Sequence, residues 1–381
     1  MKKNPYFCGK RITAKKLKKG INITELVDNY YQAYNSARLN EACRLLTEKM
    51  LDPKRDVTIG ITLAGAITPA GMSGMFVSMM EKGFIDFIVS TGANLYHDTH
   101  FALNYPLRKG EFAVDDTLLY KHGVVRIYDV FLTTETLLKT DKFTQKILLD
   151  GKAPRGAISS SEFHNYIGKR LLQEAPNSEV SILAQAAKYN IPVYTSSPGD
   201  STYGMDLAAY NKARNKKFIK KGAIDLHINS NRDVIETAAI VMGAKENGVM
   251  LLGGGSPKNF YLQTQPFLWE CMGIEKGGHD YFIQVTMDSP QWGGLSGATP
   301  SEAVSWGKIN PEELKNTVVV YSDLTIAVPI IFSYALAKAK PRKRKNLYQK
   351  LDKLVYNLEK EDFKRPVDWT PDALYKKHEE Q

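Results

Sequence analysis

Six short apolar runs, rich in β-branched residues, recur along the chain, and each gives way to Gly, Ser, Thr or Asp and then to a helical pattern. They span 57–63 before AGAITPAG, 85–89 before STGAN, 191–194 before TSSPGD, 249–252 before GGGSPK, 282–287 before DSPQWGG and 317–321 before SDL. Runs that are apolar throughout, rather than alternating, belong to strands covered on both faces. Their alternation with helical segments predicts an α/β protein with a doubly wound, mostly parallel sheet and helices on both faces. Ligands of such sheets bind outside the carboxyl ends of the strands, which points to Thr91, Asp200, Gly254, Asp288 and Asp323 as functional residues. No Gly-x-Gly-x-x-Gly follows a strand, so a plain Rossmann dehydrogenase is not supported. The glycines at 253–255 suit a tight turn as well as a phosphate cradle.

Beyond Pro341, leucines 347, 351, 354 and 358 stand at helical spacing and predict an amphipathic helix docked on the body or on a neighbouring subunit. The chain therefore divides into a basic segment 1–20, a single α/β catalytic domain 21–340 and a basic, amphipathic tail 341–381.

Composition is that of an ordinary globular protein, with 381 residues, 43% hydrophobic and 24% charged. The net charge of +10 suggests a nucleic-acid partner until it is located. Segments 1–20 and 338–345 together carry fourteen Lys or Arg and no acid, so the body is mildly acidic and suits a cationic small substrate. Such basic ends read as solvated tails or oligomer contacts, and no nucleic-acid partner is expected. The three cysteines, Cys8, Cys43 and Cys271, form no Cys-x-x-Cys pair, which argues against a disulfide framework or structural zinc and fits a reducing cytoplasm. The basic start has no apolar run behind it, so no secretory signal is expected. Leu324–Ala337 is fourteen residues long and contains Pro329, too short for a membrane span.

The stretch PSEAVSWGKI, 300–309, carries the most chemistry. It sets Lys308 after Trp306 and Gly307, with Glu302 close by. A lysine becomes a nucleophile only when deprotonated; an apolar neighbour lowers its pKa and a carboxylate can manage the proton, which outlines imine chemistry. The same residues also read as structure: Thr299 with Glu302 is a capping box, Pro300 suits the first helical turn, and Gly307 suits the position past its end. His97, Asp98 and His100 in YHDTH could share a metal ion, although no third ligand motif accompanies them. Ser159, Ser160, Ser161, Glu162 and His164 hold hydrolase residue types without a Gly-x-Ser-x-Gly elbow, and a helix cap is the simpler account.

Taken together, SEAVSWGKI with Lys308, IPVYTSSPGD with Asp200, VMLLGGGSPK with Lys258, VSTGA with Thr91 and VVVYSDLTIAVP with Asp323 resemble the deoxyhypusine synthase family, and most closely its deoxyhypusine-synthase-like branch. The resemblance runs from about residue 55 to residue 337. It implies a Rossmann-type fold, NAD as cofactor, and aminobutyl transfer from spermidine or a related polyamine donor to an acceptor amine. Lys308 would carry the imine. Thr91, Gly92, Asp200, Gly254, Asp288 and Asp323 would hold NAD, while Glu302, Trp306, Gly293, His97 and Asn259 would line the substrate site. The resemblance further implies a cytoplasmic homotetramer whose active sites lie between subunits.

The chain also departs from the family pattern. Tyr96 and His97 replace a glutamate pair; Met205 stands where an aspartate is expected, with Asp206 one place late; Asn259 replaces a histidine and Leu295 an aspartate. Losing acids at an ammonium site changes which amine fits, and His97 could take over the missing histidine's proton transfer. The expected product is homospermidine, formed from a small diamine such as putrescine. The alternatives are deoxyhypusine synthesis on a translation-factor lysine and a metal-dependent hydrolase using His97 and His100.

Overall fold

The computed structural model describes residues 6–215 and 225–364, so Lys2, Lys3 and the tail beyond 364 lie outside the described residues. Six strands make the central sheet: β1 (Val57–Leu63), β2 (Phe87–Ser90), β3 (Val193–Thr195), β4 (Glu246–Leu252), β5 (Tyr281–Thr286) and β6 (Thr317–Tyr321). Their spatial order is β6-β5-β4-β1-β2-β3, and every neighbouring pair is parallel. The order reverses between β1 and β4, which opens a crevice at their carboxyl ends.

Both faces are covered, as the continuous apolar runs require. Along β4, Met250 and Leu252 join one core cluster and Val249 and Leu251 the other, because successive side chains leave a strand on opposite faces. The same split sends Tyr281, Ile283 and Val285 of β5 one way and Phe282 the other. Strand ends differ from the sequence reading by up to three residues; β2 starts at Phe87 because Asp86 accepts the Ile59 N–H across the sheet at 2.8 Å. Two smaller sheets were not anticipated: an antiparallel one of Arg108–Lys109, Val124–Ile127 and Val130–Thr133, and the parallel pair Gly156–Ile158 and Leu226–Ile228.

The basic run 338–345 departs from the expectation of a solvated tail, because it packs on its own chain. Arg342 donates to the Val57 carbonyl at 2.7 Å and to the Gly83 carbonyl, and it pairs with Asp86, which is 3% exposed. Arg344 donates to the Glu81 carbonyl at 2.6 Å and lies 4.1 Å from the Tyr189 ring centroid, while Lys345 pairs with Asp56. The run is a strap across the amino ends of β1 and β2. It leads into the helix Leu351–Lys364, which lies against the helix Ser230–Gly243 with Leu347, Leu351 and Leu358 buried.

Burial pushes the Asp86 carboxyl up and Arg342 opposes that push. Replacing Arg342 with Met is therefore expected to destabilise the protein by about 3–5 kcal/mol, read from urea unfolding. The Asp86→Asn, Arg342→Met double variant should recover part of the loss, since no uncompensated charge remains.

Candidate active site

Lys308 stands just past a helix stop. The helix Pro300–Ser305 is capped by Thr299, whose hydroxyl accepts the Glu302 N–H at 3.2 Å. At its other end Gly307 donates to the Val304 carbonyl at 2.9 Å and Lys308 to the Ala303 carbonyl at 3.0 Å, with Gly307 at φ +64°. This is a Schellman stop, which favours glycine because L side chains are strained at such a φ. A Cβ at Gly307 would also meet the Trp269 Nε1 at 2.6 Å. On its far side the Lys308 carbonyl accepts the His279 N–H at 3.0 Å, and His279 bridges to Ile309 in parallel register. The backbone is pinned before and after the lysine.

Its side chain enters a cavity of about 400 Å³ lined by Asn259, Glu302, Trp306, Leu295, Glu270 and a second lysine, Lys258. The Lys308 Nζ donates to Asn259 Oδ1 at 2.9 Å and lies 5.4 Å from the Trp306 ring centroid. Burial lowers its pKa from the ordinary lysine value, and Glu302 opposes the shift. Lys258 is 2% exposed and donates to Gln284 Oε1 at 3.1 Å and to the Ala298 carbonyl at 2.7 Å. Sequence reasoning gave Lys258 no role. A lysine in the first turn after GGG carries no local sign of burial; only the tertiary fold turns it inward.

A second cavity of about 250 Å³ lies at the reversal point between β1 and β4, lined by Thr91, Gly92, Asp200 and Gly254 together with Gly65, Ser197 and Ser256. The helices Gly92–Ala102 and Gly255–Leu262 both start there, and no side chain caps either one. Thr91 donates to the Gly65 carbonyl at 2.6 Å and accepts from Asn94 at 3.0 Å, while Asn94 Oδ1 accepts the Ile67 N–H at 2.8 Å. Asn94, which sequence reasoning missed, thus ties the loop after β1 to the loop after β2. The glycines permit close backbone approach: a Cβ on Gly92 would come within 2.0 Å of Ser201 Cβ, and one on Gly254 within 2.2 Å of Ser296 Cα. Two uncapped helix starts suit phosphate groups, and the exposed Asp200 carboxylate suits hydroxyls, so the donor set fits a phosphate-bearing nucleotide such as NAD.

Other candidates lie elsewhere. Asp288 and Asp323 stand at the same end of the sheet but line neither cavity; Asp323 caps the helix Leu324–Lys338 by accepting the Thr325 N–H at 2.8 Å. Gly293, at φ +70° after the turn Pro290–Trp292, lines neither. His97 and His100 belong to the helix Gly92–Ala102, with their Nδ1 atoms 3.3 Å apart. Asp98 points away from them and caps the helix Ile182–Tyr189, accepting the Ile182 N–H at 2.9 Å and the Ser181 hydroxyl at 2.7 Å. Burial pushes His97 down to about 4 and His100 to about 3, so both rings are neutral near pH 7. Among the described residues no group of three His, Cys, Asp or Glu side chains is placed to hold a metal ion. Asp206 is pushed up to about 7 by burial and by Asp141, which also accepts the Tyr96 hydroxyl at 2.6 Å; Met205 is exposed.

A parallel sheet with a glycine-lined pocket at its reversal point, beside a cavity that two lysines line, defines an α/β protein of the doubly wound class. Known proteins give the family. Residues 25–335 match the deoxyhypusine synthase family model. A deoxyhypusine synthase-like protein of Nostoc punctiforme is 45% identical over 377 residues, covering 96% of this chain and 94% of the relative. A "probable deoxyhypusine synthase 1" of Archaeoglobus fulgidus is 37% identical over 86% of this chain and 98% of its own length. A crystal structure assigned as a deoxyhypusine synthase of Entamoeba histolytica superposes with a TM-score of 0.55 at 18% identity, over 87% of this chain and 99% of its own, and supports the fold. The chain belongs to the deoxyhypusine synthase family, and it is accordingly a transferase.

Gly307→Ala is expected to cost about 1–2 kcal/mol in urea unfolding, because the helix stop forces a left-handed backbone. It should also release Lys308 from Asn259, raising the reactivity of the Lys308 amine toward a small acylating reagent.

Proposed function

We propose that the chain catalyses NAD-dependent aminobutyl transfer from spermidine or a related polyamine to a small diamine, giving homospermidine, through an imine on Lys308. One observation carries this reading: the half-buried Lys308 amine faces a partly open cavity, hydrogen-bonded to a neutral amide and lying beside an indole ring, so its ammonium form is less well solvated than that of a surface lysine. Bound NAD would accept a hydride from the donor carbon and return it at the end. Thr91, Gly92, Asp200 and Gly254 would hold it, with Asp288 and Asp323 contributing from the same end of the sheet. Lys308 Nζ then forms a C–N bond to the oxidised four-carbon unit, and the diaminopropane portion leaves with the proton that Lys308 gives up. The acceptor amine reverses that exchange. Glu302 would hold the free ammonium of the chain and Trp306 would cover its methylenes and charge by cation–π contact.

A small acceptor is favoured by the lining itself. Leu295 and Asn259 stand in the cavity where the family pattern has acids or a histidine, so fewer charges are available to hold a long polycation. His97 lines neither cavity, and burial pushes its ring down to about 4, so we give it no part in the transfer within one chain. The segment 295–298 and the turn 254–259 contribute lining to both cavities, so the two lie side by side, and in a homotetramer a second subunit would complete each active site. A reducing cytoplasm would suit Cys8, Cys43 and Cys271, which form no disulfide and no Cys-x-x-Cys pair.

The test supplies the purified protein with NAD, labelled spermidine and putrescine, followed by borohydride and peptide mass spectrometry. Label on the peptide containing Lys308 and release of homospermidine are expected, both lost in Lys308→Ala. Transfer only to a translation-factor lysine would replace the acceptor, and turnover without label on Lys308 would remove the mechanism.

A further inference from the structure

Two lysines converge on the cavity that the preceding reading assigns to amine chemistry, and only one of them has been given work. Lys258 reaches it from the first turn of the helix Gly255–Leu262, Lys308 from beyond the Schellman stop. The Lys258 ammonium has no carboxylate within ion-pair distance among the described residues; its hydrogen bonds go to Gln284 Oε1 and the Ala298 carbonyl, both neutral. A buried cation held by neutral acceptors keeps its charge directed at whatever lies beside it. A cation beside a lysine is one of the established ways of lowering that lysine's pKa.

We propose that Lys258 is a positioning residue for the imine step: its ammonium, fixed by Gln284 and Ala298, disfavours a second positive charge in the same cavity and so keeps Lys308 in its nucleophilic form. The inference rests on Lys308 being the reacting amine. The other charged or titratable groups around the pair are Glu302 from the helix Pro300–Ser305, Glu270 from the facing turn, Asp288 after β5, and His279 across the backbone bridge. Glu302 and Asp288 act in the opposite sense on Lys258, and Glu302 does so on Lys308 as well. Burial pushes the His279 ring down to about 3, so it adds no charge at neutral pH.

The sign of the effect fixes its pH window. Burial pushes Lys258 down to about 8, with Lys308 repulsion acting in the same direction. Lys258 is therefore mostly charged at pH 7, where its repulsion favours the free Lys308 amine. The repulsion fades as pH rises through about 8. Desolvation alone also lowers Lys308, so the two contributions must be separated by substitution.

Competitive acetylation with trace acetic anhydride from about pH 6 to 11, read by peptide mass spectrometry on the native full-length protein, gives the titration of residue 308 without NAD or any amine. Below about pH 7.5, where Lys258 is charged, acetylation of Lys308 is expected to fall about tenfold in Lys258→Met and Lys258→Gln and to be kept in the charge-retaining Lys258→Arg, with all variants converging well above about pH 8. Borohydride trapping of spermidine-derived label should fall about tenfold at pH 7 in the neutral variants and recover at pH 9. An unchanged Lys308 acetylation rate below about pH 7.5 in folded Lys258→Met and Lys258→Gln overturns the proposal. Should those variants not fold, the native protein decides alone: a single-step Lys308 titration near the ~10.4 of an isolated lysine also overturns it. Failure of the transfer reading itself would look different, as a low Lys308 midpoint with no label trapped from any amine.

Discussion

Everything at the functional end of the molecule is levelled by the pairing of β1 with β4. Seven residue pairs, from Val57 with Glu246 to Leu63 with Leu252, run in parallel register through the centre of the sheet. The ladder continues beyond the strands: Ala64 donates to the Leu252 carbonyl at 3.0 Å, Thr91 to the Leu63 carbonyl at 3.0 Å, and Gly253 to the Val285 carbonyl at 2.8 Å. The loops after β1, β2 and β4 therefore start at one height. A slip of one residue would exchange the two faces of β4 and carry Gly254 away from Ser296, so the core and the pocket are set by the same register.

The two ends of that sheet treat charge in opposite ways. At the amino end, cations of the strap are spent on carbonyls and on Asp86 and Asp56, where good geometry offsets the desolvation of Arg342. At the carboxyl end, Lys258 and Lys308 meet an amide, a glutamine and a carbonyl. The first arrangement holds a charge in place for stability. The second leaves an amine whose charged state is poorly supported, which is a condition for reactivity rather than for stability.

Legibility in the sequence followed locality. The sheet was readable because buried parallel strands are apolar on both faces, and the stop before Lys308 was readable because Thr299, Glu302 and Gly307 act within one short helix. Strand ends were less so, since Asp86 breaks the apolar run in order to serve Ile59 and Arg342. The polar run 96–100 carries no local sign of burial, yet the fold buries Tyr96, Asp98, Thr99 and His100 inside a helix between other helices. The basic run 338–345 resembled a tail because its partners lie more than two hundred and fifty residues away, at Gly83 and Asp86. Lys258 was quoted only as part of a glycine motif, for the same reason.

The replaced residues of the cavity bear on which amine is accepted. Holding a protonated polyamine requires carboxylates or acceptors spaced along its length, because an ammonium removed from water without partners is costly. In this chain the cavity retains Glu302 and Glu270 while Leu295 presents a hydrocarbon surface and Asn259 is occupied by Lys308 itself. Asn259 also donates to Gln263 at 2.8 Å, so its amide is fixed with the carbonyl oxygen toward the lysine. An amide in that position can orient an amine but cannot take up its proton. In the proposed transfer the proton given up by Lys308 would therefore pass to the leaving amine or to Glu302. Under the proposed reading, a substrate carrying its own second amine would supply such a group wherever it binds, which a single protein lysine would not.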